Sequence, residues 1–287
     1  MEKYMKTYSR LATHLSFLFV YTALAAAQSR PASPALREYV NPPAIKPVDT
    51  VFMEEMTWLE IRNAMKAGKT TVIVPAGGLE ATGPFVTLNK HQNMLRASTD
   101  MIARKLGNAL VAPVIKYVPE DEPAGVRGDY LGNFNIGIPA YKATLSDICN
   151  TLRIDGFKDV ILIGDHQGAQ RGMKEIAEKL TPKWAGSSSR IHFVPEYYDR
   201  TAVYKFIADQ GIREQRGGFG DNYYNTAILM AVDPEGARLK ERTEADQLTV
   251  NGVNLKPIEK TIENGKKILQ MQTDQTVKAI QKAIASK

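Results

Sequence analysis

Four short apolar runs rich in β-branched residues alternate with stretches of helical periodicity, and this alternation constrains the fold more than any other feature. The runs are 70–75 (TTVIVP), 109–118 (ALVAPVIKYV), 159–164 (DVILIG) and 190–195 (RIHFVP). Each is apolar nearly throughout, as expected of a parallel strand buried on both faces. Residues 57–67 carry Trp58, Ile61 and Met65 at helical spacing, with Thr57 placed to cap the helix and Gly68 to stop it. Segments 93–106, 144–154, 168–180, 201–210 and 225–232 also read as helices, and 257–286 as a long amphipathic helix with a break near Gly265. The pattern predicts an α/β fold, a three-layer α/β/α arrangement around a mostly parallel sheet. No repeat period is visible, which argues against solenoids and propellers.

The 287 residues suit one large domain with a tail. Lys3, Lys6 and Arg10 precede an apolar stretch over 11–25 and then small residues, the parts of a signal peptide over 1–27. That stretch is shorter than the ~20 residues of a membrane-spanning helix. The expectation is a periplasmic or secreted protein, free of the membrane once cleaved. Residues 28–50, with repeated prolines, read as an extended arm or linker, and 51–287 as a single domain. The formal charge of +6 is scattered, without a basic block interleaved with aromatics, so a nucleic-acid partner is not expected. The single cysteine, Cys149, excludes an intramolecular disulfide and any multi-cysteine metal site.

Chemistry in an open parallel sheet belongs outside the carboxyl ends of its strands. The loop after the first run, Pro75-Ala-Gly-Gly-Leu-Glu-Ala-Thr-Gly-Pro84, places Glu80 there, and the loop after the third places Asp165 and His166 there. His91 follows in a polar stretch that opens a helix. Glu, His and His form a common zinc set that leaves a position open for water. His192 sits within an apolar strand and reads as a core or sheet-face residue, while His14 falls in the signal segment.

Over roughly 57–238 the ordered motifs resemble the creatininase family of metal-dependent amidohydrolases. Gly77-Gly-Leu-Glu-Ala-Thr-Gly-Pro84 keeps the Glu, Gly and Pro of the family's Gly-x-x-Glu-Gln-His-Gly-Pro. Leu110-Val-Ala-Pro-Val114 matches its second strand, and VILIGDHQG resembles the segment bearing its histidine ligand, here His166. The Asp ligand of the family falls on His91; placing it on Asp100 requires an insertion and shortens the following helix. Ala227–Pro234 resembles the later helix with its Asp-Pro.

The departures are informative. The family's second-metal histidine falls on Thr82, a carboxylate found in some members falls on Gly168, and the His-Ala-Gly-Glu segment reads Gly220-Asp-Asn-Tyr223. An imidazole offers one free nitrogen to one metal, unlike a bridging carboxylate. The resemblance, with these changes, implies one divalent metal, zinc, held by Glu80, His91 and His166 with Asp165 as a fourth or supporting group. It implies a small-molecule amide substrate, cyclic or linear, and a homo-oligomer. Glu122, Asp129 and Asp221 are the candidates for the general base. The alternative is a degenerate scaffold that binds a small molecule without turnover.

Overall fold

The computed structural model describes residues 46–120, 131–215 and 220–286. The signal segment, most of the Pro-rich arm, and the stretch bearing Glu122 and Asp129 lie outside the described residues. From Val48 onward the chain forms one compact unit. Its strands β1 (Thr71–Ala76), β2 (Ala109–Val111), β3 (Asp159–Gly164) and β4 (Arg190–Phe193) make a four-stranded parallel sheet in the order β2-β1-β3-β4. β5 (Thr249–Val250) and β6 (Val253–Asn254) form a small antiparallel hairpin. The helices are α1 (Trp58–Lys66), α2 (Lys90–Leu106), α3 (Ile138–Ile154), α4 (Gln167–Lys183), α5 (Thr201–Asp209), α6 (Tyr223–Val232), α7 (Leu239–Glu244) and α8 (Ile258–Ala285).

Every residue of β1 and β3 is buried, which explains the absence of polar alternation in their sequences. Their side chains divide between two cores. Val72, Val74, Val160 and Leu162 pack with Tyr141, Leu145 and Cys149 of α3 and Met173 and Ile176 of α4. On the opposite face Ile73, Ile161 and Ile163 pack with Leu95 and Ile102 of α2 and Val277 and Ile280 of α8. Each fully buried aliphatic side chain contributes about 1.5–3 kcal/mol by transfer from water. The fold is therefore the three-layer α/β/α arrangement that the alternation predicts. β1 feeds α2 on one face and its neighbour β3 feeds α4 on the other, so a crevice opens between their carboxyl ends.

Several boundaries differ from expectation for identifiable reasons. α1 starts as expected, with Thr57 Oγ1 accepting from Glu60 N–H and the Glu60 carboxylate accepting from Thr57 N–H. β2 stops at Val111 instead of reaching 118, because Pro113 has no N–H for the ladder; only single bridges follow at Ile115 and Val118. α3 begins at Ile138, well before the expected 144, with Pro139 in the first turn where a missing N–H costs nothing. β4 ends at Phe193, and a 3-10 turn, Pro195–Tyr197, takes over. α8 runs unbroken through Gly265. Glycine is needed there for close packing, since a Cβ would stand 1.9 Å from the Ala227 carbonyl oxygen of α6.

Candidate metal centre

The crevice between β1 and β3 holds a cavity of about 340 Å³ lined by Glu80, Lys90, His91, Glu120, Asp165, His166, Tyr198 and Tyr224, among others. Glu80 reaches it from the turn after β1. His91 comes from the first turn of α2, which starts at Lys90 where 93 was expected, because His91 and Gln92 are buried and drawn inward. Gln92 Nε2 donates to Gly78 O at 3.0 Å and so ties that turn to the β1 loop. Asp165 and His166 leave the end of β3, and His166 caps α4, its Nδ1 accepting from Gly168 N–H at 3.1 Å.

One ligand atom each from Glu80, His91 and His166 lies within 4.8 Å of the others. Glu80 Oε2 is 3.0 Å from His91 Nε2 and 3.8 Å from His166 Nε2. Zinc bonds of ~2.1 Å place pairs of donors at comparable separations, so the trio fits a single ion. His91 Nδ1 lies 3.0 Å from Asp165 Oδ2. Asp165 is an acceptor only, so Nδ1 carries a hydrogen towards it, while Nε2 faces the Glu80 carboxylate; the Nδ1–H pairing with Asp165 is the carboxylate–histidine arrangement that would orient a metal-binding imidazole. The second oxygen of Asp165 accepts from Arg200 Nη2 at 2.6 Å. Asp165 thus stands behind His91 with both oxygens engaged, which matches the supporting role better than that of a fourth ligand.

His166 is arranged differently. Its Nδ1 accepts a backbone N–H, so the hydrogen sits on Nε2 and is directed at Glu120 Oε1, 3.0 Å away. With an ion bound, His166 Nε2 would be the donor atom and would give up that hydrogen to solvent, leaving the Glu120 carboxylate ionised beside it. Burial alone raises the Glu80 and Asp165 carboxyls, but for both the hydrogen bond from His91 and neighbouring positive charges outweigh it and hold them below the usual carboxylate range. The Lys90 ammonium, 2% exposed, is pulled below its ordinary range by burial despite the opposing pull of Glu80, Asp165 and Asp221.

Asp221 is not a lining residue; its carboxylate sits against Gly83, where a Cβ would come within 2.3 Å of Oδ2. His192 lies on the sheet with Nε2 2.9 Å from Asp159 Oδ1, away from the cavity. Sequence reasoning missed Glu120, Lys90 and Arg200. Glu120 lies two residues before Glu122, in the same loop after the second apolar run. Arg200 follows Tyr197-Tyr-Asp199 and lies with its guanidinium carbon 5.2 and 5.3 Å from the ring centroids of Tyr198 and Tyr224. Lys90 immediately precedes His91, and a lysine beside a candidate ligand was the available signal.

The Creatininase family profile, described as creatinine amidohydrolase, matches residues 54–280. The creatinine amidohydrolase of Pseudomonas putida is 23% identical over 203 residues, covering 65% of this chain and 73% of the relative. A solved creatinine amidohydrolase (creatininase) superposes with a TM-score of 0.62 at 18% identity, over 84% of this chain and all of that one. A creatininase variant of Zn–Zn type superposes with a TM-score of 0.60 at 20% identity, over 83% of this chain and all of that one. With a profile match running from the first 3-10 turn into the last helix, this chain belongs to the creatininase family.

Proposed function

We propose that this protein hydrolyses a non-peptide amide C–N bond, cyclic or linear, with a single divalent ion held by Glu80, His91 and His166. The observation that carries this reading is the convergence of those three donors at one cavity, with the His91 ring fixed from behind by Asp165. An ion there supplies a Lewis acid that polarises a carbonyl and acidifies water. Glu120 is the base: it receives the proton released when water attacks the amide carbon and returns it to the departing nitrogen. That role goes to Glu120 over Asp221 because Glu120 lines the cavity. The Tyr198 hydroxyl and the Asn222 and Asn225 amides offer donors and acceptors to a small polar amide, and the Tyr198 and Tyr224 rings offer flat walls.

The experiment is an assay of purified protein against creatinine, hydantoins, lactams and formamides, before and after chelation and with zinc or manganese restored. We expect chelator-sensitive turnover restored by one equivalent of ion and lost in Glu120→Gln and His166→Ala. Turnover indifferent to chelation would sink the metal reading, and tight binding without turnover would favour the degenerate scaffold. The proposal extends to export: the signal segment directs the chain to the periplasm or medium, checked by N-terminal sequencing of the exported protein. Among the described residues no helix is long and apolar enough to cross a membrane. It also extends to a homo-oligomer, checked by light scattering.

A further inference from the structure

Lys90 precedes His91 on the first turn of α2, and its ammonium enters the same cavity. Three oxygens from two segments surround it: Thr82 Oγ1 at 2.8 Å and Glu80 Oε2 at 3.4 Å from the loop after β1, and the Gly220 carbonyl at 3.2 Å. A hydroxyl, a backbone carbonyl and a carboxylate are the ligand chemistry of a hard cation. The Glu80 oxygen is the one that also lies beside His91 Nε2 and His166 Nε2. It is therefore shared between the three-donor group and the ammonium, as a carboxylate is shared by two adjacent cations.

We propose that the Lys90 ammonium is a resident cation that fills the place beside Glu80 where a second metal ion would sit, and so fixes the site at one divalent ion. The proposal rests on the single-metal reading above. Space supports it: at Gly220, with φ +78°, a Cβ would lie 3.2 Å from Lys90 Nζ and 3.4 Å from Thr82 Cγ2, so the ammonium already occupies that corner. Charge supports it too. Among the described residues at the cavity, Glu80, Glu120 and Asp165 face Lys90 and the Arg200 paired to Asp165. One divalent ion nearly balances that set, whereas a second would leave an excess of positive charge among these largely buried groups. Lys90 is a positioning residue that acts through Glu80.

The test is elemental analysis and calorimetric titration with zinc, on wild type, Lys90→Ala and the Lys90→Ala/Thr82→His double variant. Wild type saturates at one zinc per chain with zinc in excess, and the double variant takes up a second. Two zinc ions per wild-type chain, or no second ion in a folded double variant, overturns the proposal. A second arm needs no metal. In chelated protein Lys90→Ala lowers the melting temperature by several degrees, and methylammonium restores it while tetramethylammonium, which has no N–H, does not. Should wild type bind no zinc, the metal-hydrolase reading fails and this arm decides for Lys90: selective rescue supports the resident cation, and its absence overturns it.

Discussion

Gly168 and Pro119 approach so closely that a Cβ at position 168 would stand 1.7 Å from the Pro119 carbonyl oxygen. This contact seats the Pro119–Glu120 backbone on the first turn of α4 and brings the Glu120 carboxylate to His166. Gly168→Ala must push that backbone away, at a cost of about 1–3 kcal/mol. Urea unfolding should show this loss for Gly168→Ala and little for Glu120→Gln, while both lower turnover. Equal stability of Gly168→Ala and wild type would show that the loop yields freely.

Asp165 joins His91 to Arg200 in a buried row. In Asp165→Asn the guanidinium loses its counter-charge inside the protein, which costs about 3–5 kcal/mol. His91 also loses the acceptor that fixes its ring, so zinc affinity should fall by about 10–100-fold. Chemical denaturation and zinc titration measure the two effects separately.

The carboxyls of Glu80 and Asp165 titrate below their ordinary range in the folded protein. A depressed folded pKa means stability present in full above the unfolded values of about 4 and lost as pH falls through the folded values. The stability gap between chelated wild type and Asp165→Asn should therefore be level from pH 7 to about 5 and narrow below about 4. A gap that narrows between pH 7 and 5 contradicts the assignment.

Gly265→Ala sets two effects against each other. Helix propensity favours alanine by about 1 kcal/mol. The new Cβ, 1.9 Å from the Ala227 carbonyl oxygen, must separate α6 from α8, at about 1–3 kcal/mol or more. Net destabilisation in thermal melts is the expected sign.

Cys149 is buried in the core between α3 and the sheet, and burial pushes its thiol up to about 12. With so little thiolate at pH 8, it should resist iodoacetamide in the native protein and react after denaturation. Fast native labelling would contradict its burial.

The central strands were legible because burial on both faces removes ambiguity: β3 runs unbroken between Lys158 and Asp165. β2 was overextended because an apolar run continues across Pro113 without the hydrogen bonds of a ladder. The start of α2 was misplaced because Lys90, His91 and Gln92 look like an exposed polar turn yet are all buried. Glu80 and His166 could be found from their places after strands, and His91 from the polar stretch that opens the next helix. Lys90, Glu120 and Arg200 were missed because their importance comes from contacts with segments distant in sequence: Gly220, His166 and Asp165. A charged residue reads as solvated until the fold supplies its partner.

The crevice between β1 and β3 has a mechanical consequence. Glu80 and His91 belong to the loop and helix on one face of the sheet, whereas His166 caps the helix on the other. An ion held by all three would rivet the two helical layers together across the strand ends. Loading the site would therefore stiffen the first turns of α2 and α4 as a pair, and amide exchange at those turns would report occupancy.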